Sequence, residues 1–244
     1  MIWQVFWRSF CAVFLLLGSC YTAPLLAQTE ASEQDPWEGF NRKMFAFNDG
    51  LDSYLLRPLA VGYRAVLPDP VEVGVDNVFL NLREITNVFN DVLQWKWDKA
   101  ANDTARFLIN STVGVAGIFD VAGHFGLLRG EGEDFGQTLA VWGVGQGPYM
   151  MLPFLGPSTL RRTAAIPLDL DTLPIVQIGD TAVRNSVLGL RFVSLRAQLL
   201  SFEDSISGDK YLFIREAYLQ NRQFLINDGV VEDDFGGDDE YGDY

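Results

Sequence analysis

The chain has 244 residues, enough for one large domain or two small ones with a substantial core. Apolar residues make up 48% before the 23 glycines are added, whereas roughly 45–50% with glycine included is usual in soluble domains. The formal net charge is −14, half of it carried by seven acidic residues beyond Val231, and the absence of a basic stripe excludes a nucleic-acid-binding surface.

Residues 1–19 read as a secretory leader. Arg8 precedes an apolar run over 10–17, about the length of a signal-peptide core and short of the roughly 20 residues needed to span a bilayer. The run closes on Leu17-Gly18-Ser19-Cys20, a lipobox-like pattern that makes Cys20 a candidate for lipidation and the new amino terminus. Cys11 would be discarded, leaving Cys20 the only cysteine of the mature chain, without a disulfide partner. Ordinary cleavage after Ala27 is the alternative. Residues 20–34 are polar and small, as in a flexible tether.

A helix is expected from Asp35, which can cap, with Pro36 at the first helical position and Glu38 placed to complete a capping box. Phe40, Met44, Phe47, Leu51 and Leu55 share one face of it, and that face must be buried in a protein core, in acyl chains, or in both. The helix is expected to end before Pro58. The same start signal recurs at Asp69-Pro70-Val71-Glu72, ahead of a long amphipathic helix with Val71, Val75, Val78, Leu82, Ile85, Phe89 and Val92 on its apolar face. Trp95 and Trp97 flank Lys96 beyond it, a pattern that suits a membrane interface or the packing of a neighbouring helix. Asp98 can cap the next helix. The run Val113-Gly114-Val115-Ala116-Gly117 then predicts a hairpin or close-packed turn.

His124 is the only histidine and has no companion for a metal or catalytic constellation, so neither a metal site nor a cofactor is expected. Residues 135–160 carry no charged side chain, yet their glycines and prolines forbid a simple spanning helix. The segment is either a buried glycine-rich loop or, at membrane depth, the lining of an opening; Gly143, Gly145, Gly147, Pro148 and Tyr149 are its candidate channel or turn residues. The spacing of those glycines, followed by Pro148, does not suit a nucleotide-phosphate loop. Ser158 can cap a short helix, and Pro167 and Pro174 mark a loop. Amphipathic helices follow over 183–202 and 210–227, and an acidic, disordered tail over 228–244.

Several blocks together are specific. Asp35-Pro36-Trp37-Glu38-Gly39-Phe40-Asn41-Arg42 with Phe45 and Asn48, Arg57-Pro58, Asn110-Ser111-Thr112, Asp120-Val121-Ala122, Glu133-Asp134-Phe135-Gly136-Gln137-Thr138-Leu139, Trp142-Gly143-Val144-Gly145 with Gly147-Pro148-Tyr149, and Arg215-Glu216-Ala217-Tyr218 resemble the MlaA (VacJ) family, in order, over residues 35–227. Ile85, Ala140 and Arg162 depart from it, standing where proline, glycine and aspartate are expected. The resemblance implies a mainly helical fold: one compact domain of amphipathic helices forming a ring around a central channel, embedded in one leaflet. It also implies a lipid-anchored protein of the Gram-negative outer membrane that removes misplaced phospholipids from the outer leaflet. The implied partners are phospholipid, a porin trimer and a periplasmic carrier, MlaC. Phe40, Met44, Phe47, Trp95 and Trp97 are then candidates to face the membrane. A lipid hydrolase or a structural porin-associated lipoprotein are the competing readings, the first lacking a nucleophile elbow beside His124.

Overall fold

The computed structural model describes residues 35–205 and 208–230. The expected leader, Cys20, the expected tether and the acidic residues beyond Val230 lie outside the described residues. The fold is mainly helical: α1 (Glu38–Leu51), a π-helical turn (Asp52–Leu56), α2 (Arg57–Val66), α3 (Asp69–Leu93), α4 (Trp97–Thr112), α5 (Val121–His124) and α6 (Phe135–Val141) lead to a hairpin of β1 (Tyr149–Leu152) and β2 (Gly156–Thr159). After it come α7 (Leu160–Thr172), a 3-10 turn (Pro174–Gln177), α8 (Thr181–Gln198), a second 3-10 turn (Leu199–Ser205) and α9 (Lys210–Ile226). The hairpin is antiparallel, Tyr149 opposite Thr159 and Leu152 opposite Gly156. Among the described residues no helix is long and apolar enough to cross a membrane.

Helix starts differ from expectation in an instructive way. Asp35 does not cap α1, whose N-cap is Trp37, and Glu38 pairs with Arg42 at 2.6 Å instead of closing a capping box. The Asp35 carboxylate is buried and taken by Asn41, by the Tyr211 hydroxyl and by Arg215 at 3.3 Å. Hydrogen bonds to a guanidinium and a phenol outweigh a single cap amide. Asp69 and Asp98 likewise lie inside the first turns of α3 and α4, where their charge favours the positive helix end without a capping bond. Asp120, Asp134, Thr159, Asp180 and Asp209 are the residues that do cap, at α5, α6, α7, α8 and α9. Thr159 therefore takes the place expected for Ser158.

Pro58 does not end a helix where expected, whereas α2 stops at Val66, just before Pro68. The backbone continues from α1 into α2 through the π turn, in which the Arg57 amide donates five residues back to Asp52. The wider turn admits Pro58, which has no amide to donate and would crowd the carbonyl four residues back in a regular helix. Pro167 sits within α7. Ile85, replacing an expected proline, lies in an uninterrupted 25-residue α3. The turn after α4 is as close-packed as expected: Val115, Ala116 and Gly117 are all left-handed, and a Cβ on Gly117 would stand 2.7 Å from Asn81.

Two small apolar clusters hold the fold. Phe135 and Leu139 of α6 meet Ala165 and Leu168 of α7. Tyr149, Met151 and Tyr211 join the hairpin to α9, with Met44 and Phe45 of α1 packed against them. The rest of the interior is polar. Helix α3 packs most extensively on α4, and the residues it buries are Gly74, Asn81, Glu84, Thr86, Asn87, Asn90 and Asp91, while Val71, Val73 and Val92 are exposed. The expected apolar face of α3 is not its buried face. In α8 the same inversion buries Ser194 and Ala197 and exposes Phe192 and Leu195.

Candidate functional site

Among the described residues the buried set contains 23 polar or charged side chains and 12 apolar ones, the reverse of a water-soluble core. Each buried polar group must find a partner, and the partners form networks that join distant elements. Arg106, 1% exposed, donates to Glu84 at 3.0 Å, to the Leu127 carbonyl at 2.6 Å and to both oxygens of Asp120. Asn110 adds a bond to Asp120 and accepts the Ala122 amide, fixing α5 against α4. Burial pushes the Glu84 carboxyl up, helped by Asp103. Burial opposes ionisation of Asp120 too, but Asn110 and Arg106 hold it below the usual carboxylate range.

A second network joins α6, α7 and α9. Arg222 grips Asp134 with both terminal nitrogens, Arg162 bridges Asp134 and Asp169, and Asp169 accepts the Phe135 amide at 2.8 Å. Burial lifts the Asp169 carboxyl to about 6 against the pull of Arg162. Arg162, a departure from the expected aspartate, is therefore an integral cation of this network.

The hairpin is held to α1 by two amides. Asn41, 0% exposed, donates to the Tyr149 carbonyl and accepts the Met151 amide at 2.9 Å; Asn48 donates to Leu152 and accepts Phe154, both at 2.8 Å. Beneath the hairpin a cavity of about 440 Å³ opens between α1, the turn after α8, and α9. Its walls are apolar, with Phe45, Met151, Leu199, Phe202, Phe213 and Ile214, and Asp49, Asp52, Arg196, Glu203 and Lys210 supply charge. Arg196 pairs bidentately with Asp52 at 2.6 and 2.9 Å and also binds Glu203, which ties the π turn to α8. Such a space has apolar walls for acyl chains and fixed charges for a headgroup.

The residues singled out from sequence separate here. Phe40 is 54% exposed and Phe47 is exposed against Phe154, ring centroids 5.3 Å apart. Met44, on the same stripe, instead turns inward against the Tyr149 cluster. Trp95 and Trp97 are exposed and meet edge to face at 5.8 Å, while Lys96 between them points inward to Glu133 and Asp228. Gly143, Gly145 and Gly147 are exposed, Pro148 is half-buried, and Tyr149 is fully buried, so these five do not share one surface. The loop they form is fastened to the start of α7: Leu160 and Arg161 donate their amides to Pro148 and Gln146, and Arg161 reaches the Val144 carbonyl. A Cβ on Gly147 would stand 2.9 Å from Leu160. His124 is exposed and bonds the Asp120 carbonyl. Asn41 and Asn48 stand in the first of the blocks that resemble the family, but periodicity assigns no role to them or to the α3 amides. Asparagine is a poor helix former, and its recurrence mid-helix was the available signal.

These features define a mainly helical protein with a largely charged, hydrogen-bonded interior and many large apolar side chains on its surface. The MlaA lipoprotein family model matches residues 33–225, and the chain belongs to that family. A lipoprotein of Escherichia coli named for an intermembrane phospholipid transport system, MlaA, is 37% identical over 208 residues, covering 83% of this chain and 82% of that one. Its Haemophilus influenzae namesake is 32% identical, covering 82% of each, and a Rickettsia bellii protein is 40% identical over 79% of this chain and 76% of its own. A solved chain from work on the maintenance of bacterial outer-membrane lipid asymmetry aligns with a TM-score of 0.69 and 38% identity, covering 79% of this chain and 99% of that one.

Proposed function

We propose that this protein is an outer-membrane lipoprotein that takes phospholipid out of the outer leaflet and passes it towards the periplasm, maintaining lipid asymmetry. The observation that carries the reading is the inverted burial. Phe40 and Phe47 are exposed on α1, which buries Asn41, and Val71, Val73 and Val92 are exposed on α3, whose buried residues are polar apart from Gly74; Leu55, Trp95, Phe192 and Phe202 are exposed as well. Each large apolar side chain moved from water into lipid gains roughly 1.5–3 kcal/mol, so even part of this surface inserted into one leaflet supplies a large binding free energy. Lipidation at Cys20 would add an anchor. The cavity under the hairpin gives acyl chains an apolar wall beside charges that can meet a headgroup, and the loop 143–148, which leads into β1 of that hairpin, is a candidate wall of the route. A trimeric porin is the partner proposed to hold the protein in the membrane, and the periplasmic carrier MlaC to receive the lipid.

The test is a deletion strain in which outer-leaflet phospholipid is quantified with a membrane-impermeant label. Accumulation that the intact gene reverses supports the reading, and unchanged outer-leaflet phospholipid overturns it. Fractionation of Cys20→Ala tests the anchor separately: a reduced membrane-bound share is expected, and full membrane retention shows that the apolar surface suffices.

A further inference from the structure

A second cavity, of about 280 Å³, lies between the end of α3, the start of α4 and residues 128–133. Its wall includes Asp91, Asp98, Asp103, Glu131 and Glu133, and on the opposing sign Lys99 and Arg129. Asp91 is 0% exposed, and neither carboxylate oxygen has a hydrogen-bond partner. Its buried neighbours are already engaged: Glu133 is held by Gln94 and Lys96, and Asp103 accepts from Asn102. A buried carboxylate with two unfilled acceptors is costly unless a donor reaches it.

The donor set excludes several ligands. Among the described residues no three carboxylate, histidine or cysteine side chains converge closely enough to hold a metal ion. A quaternary ammonium has no N–H to give, and a neutral polyol leaves the charge uncompensated. A primary ammonium supplies three donors and a full positive charge. Lys99, paired with Asp228 at 2.7 Å, and Arg129, paired with Asp120 at 3.0 Å, stand partly exposed on the same wall, where a phosphate joined to that ammonium can exchange with those carboxylates.

We propose that this cavity binds a primary ammonium carried beside a phosphate, with Asp91 receiving the ammonium and Lys99 and Arg129 facing the phosphate. Ethanolamine phosphate, free or as a phospholipid headgroup, has this chemistry. In its lipid form the inference rests on the phospholipid-transport reading above and assigns it a headgroup. Burial, together with Asp103 and Glu133, holds the Asp91 carboxyl up at about 7, so an arriving ammonium also draws the group into its charged form.

The experiment uses the full chain in detergent micelles doped with equal amounts of phosphatidylethanolamine, phosphatidylcholine and phosphatidylglycerol of matched acyl chains. Bound lipid is counted by native mass spectrometry, and soluble phosphoethanolamine is titrated in parallel by calorimetry. Wild-type protein is expected to retain the ethanolamine lipid roughly tenfold over the choline lipid, the scale of one lost charge-assisted hydrogen bond. Asp91→Asn, which preserves shape, is expected to bring the lipids to parity while total bound lipid is unchanged; Asp171→Asn, at an exposed aspartate outside the cavity, should keep the preference. Lipid bound without preference, or a preference that survives Asp91→Asn, overturns the inference and leaves the transport reading standing. If no lipid binds, the transport reading fails, and calorimetry decides this site: saturable phosphoethanolamine binding lost in Asp91→Asn upholds a free-ligand site, and its absence overturns it.

Discussion

Asn41 and Asn48 stand two turns apart on α1, and each clasps the hairpin backbone with both ends of its amide. Asn41 holds Tyr149 and Met151, and Asn48 holds Leu152 and Phe154. The seven-residue interval returns both side chains to the same face of the helix, matching the run of β1 beside it.

The two amides are not equivalent. Asn41 is sealed from solvent and also donates to Asp35, so Asn41→Ala strands a buried amide, a buried carbonyl and part of a carboxylate. A loss of about 3 kcal/mol is expected in urea unfolding. Asn48 bonds nearer the surface, and Asn48→Ala should cost about 1 kcal/mol. Because both replacements loosen one hairpin, the double variant should lose less than the two losses added together. Strict additivity would mean that the hairpin is held independently at its two ends.

Arg106 permits a sharper contrast. Replacing it with methionine leaves Glu84 buried and Asp120 without its bidentate partner, and a loss of roughly 3–5 kcal/mol is expected. Replacing Glu84 with glutamine removes a charge that burial already disfavours, keeps a hydrogen-bonding side chain, and should cost far less. Equal losses from Arg106→Met and Glu84→Gln in thermal unfolding would contradict this ordering.

Asp91 sets a pH dependence whose sign follows from its environment. Its carboxyl is raised from an ordinary 3.8 to about 7 by burial, with Asp103 and Glu133 adding to the effect. The folded state therefore holds this proton more tightly than the unfolded state does. The stability linked to Asp91 is fully present below about pH 4 and is lost as pH rises through about 7. Asp91→Asn, measured without added amine, should be more stable than wild type by a few kcal/mol at pH 8. The advantage should shrink towards pH 4, and a constant difference across that range would mean that Asp91 is ionised throughout.

The course of the chain was largely legible from its periodicity. The last helix, expected over 210–227, is observed over Lys210–Ile226, and the long helix after Pro68 and the tight turn at 113–117 are likewise in place. Which face lies inside was not legible. Hydrophobic spacing groups residues on a face but carries no information about whether water or lipid lies beyond it. The stripe Asn81, Glu84, Asn87, Asp91 reads as solvated until α4 supplies Arg106 and Ser111 to meet it. Pro58 failed as a stop for a related reason, since the π turn that admits it lies where Asp52 is locked by Arg196 of α8, a contact 144 residues away. The candidate site shared this limit: aromatic residues signalled the exterior, but the amides that fix the hairpin over the cavity carry no motif of their own.

Trp95 separates backbone comfort from surface function. It is a non-glycine residue at φ 62°, it is 74% exposed, and its ring meets Trp97 rather than the core. The left-handed conformation costs a side-chain-bearing residue about 1–2 kcal/mol, which glycine does not incur. In detergent, Trp95→Gly should therefore match or exceed wild-type stability, whereas Trp95→Ala keeps the strain and gains nothing. On phospholipid vesicles the ranking changes. Both variants lose an aromatic ring suited to the headgroup region and should partition less than wild type, by severalfold at a contribution of about 1 kcal/mol. If vesicle partitioning is unchanged in both, the tryptophan pair does not face lipid, and its exposure is to be explained by a protein partner instead.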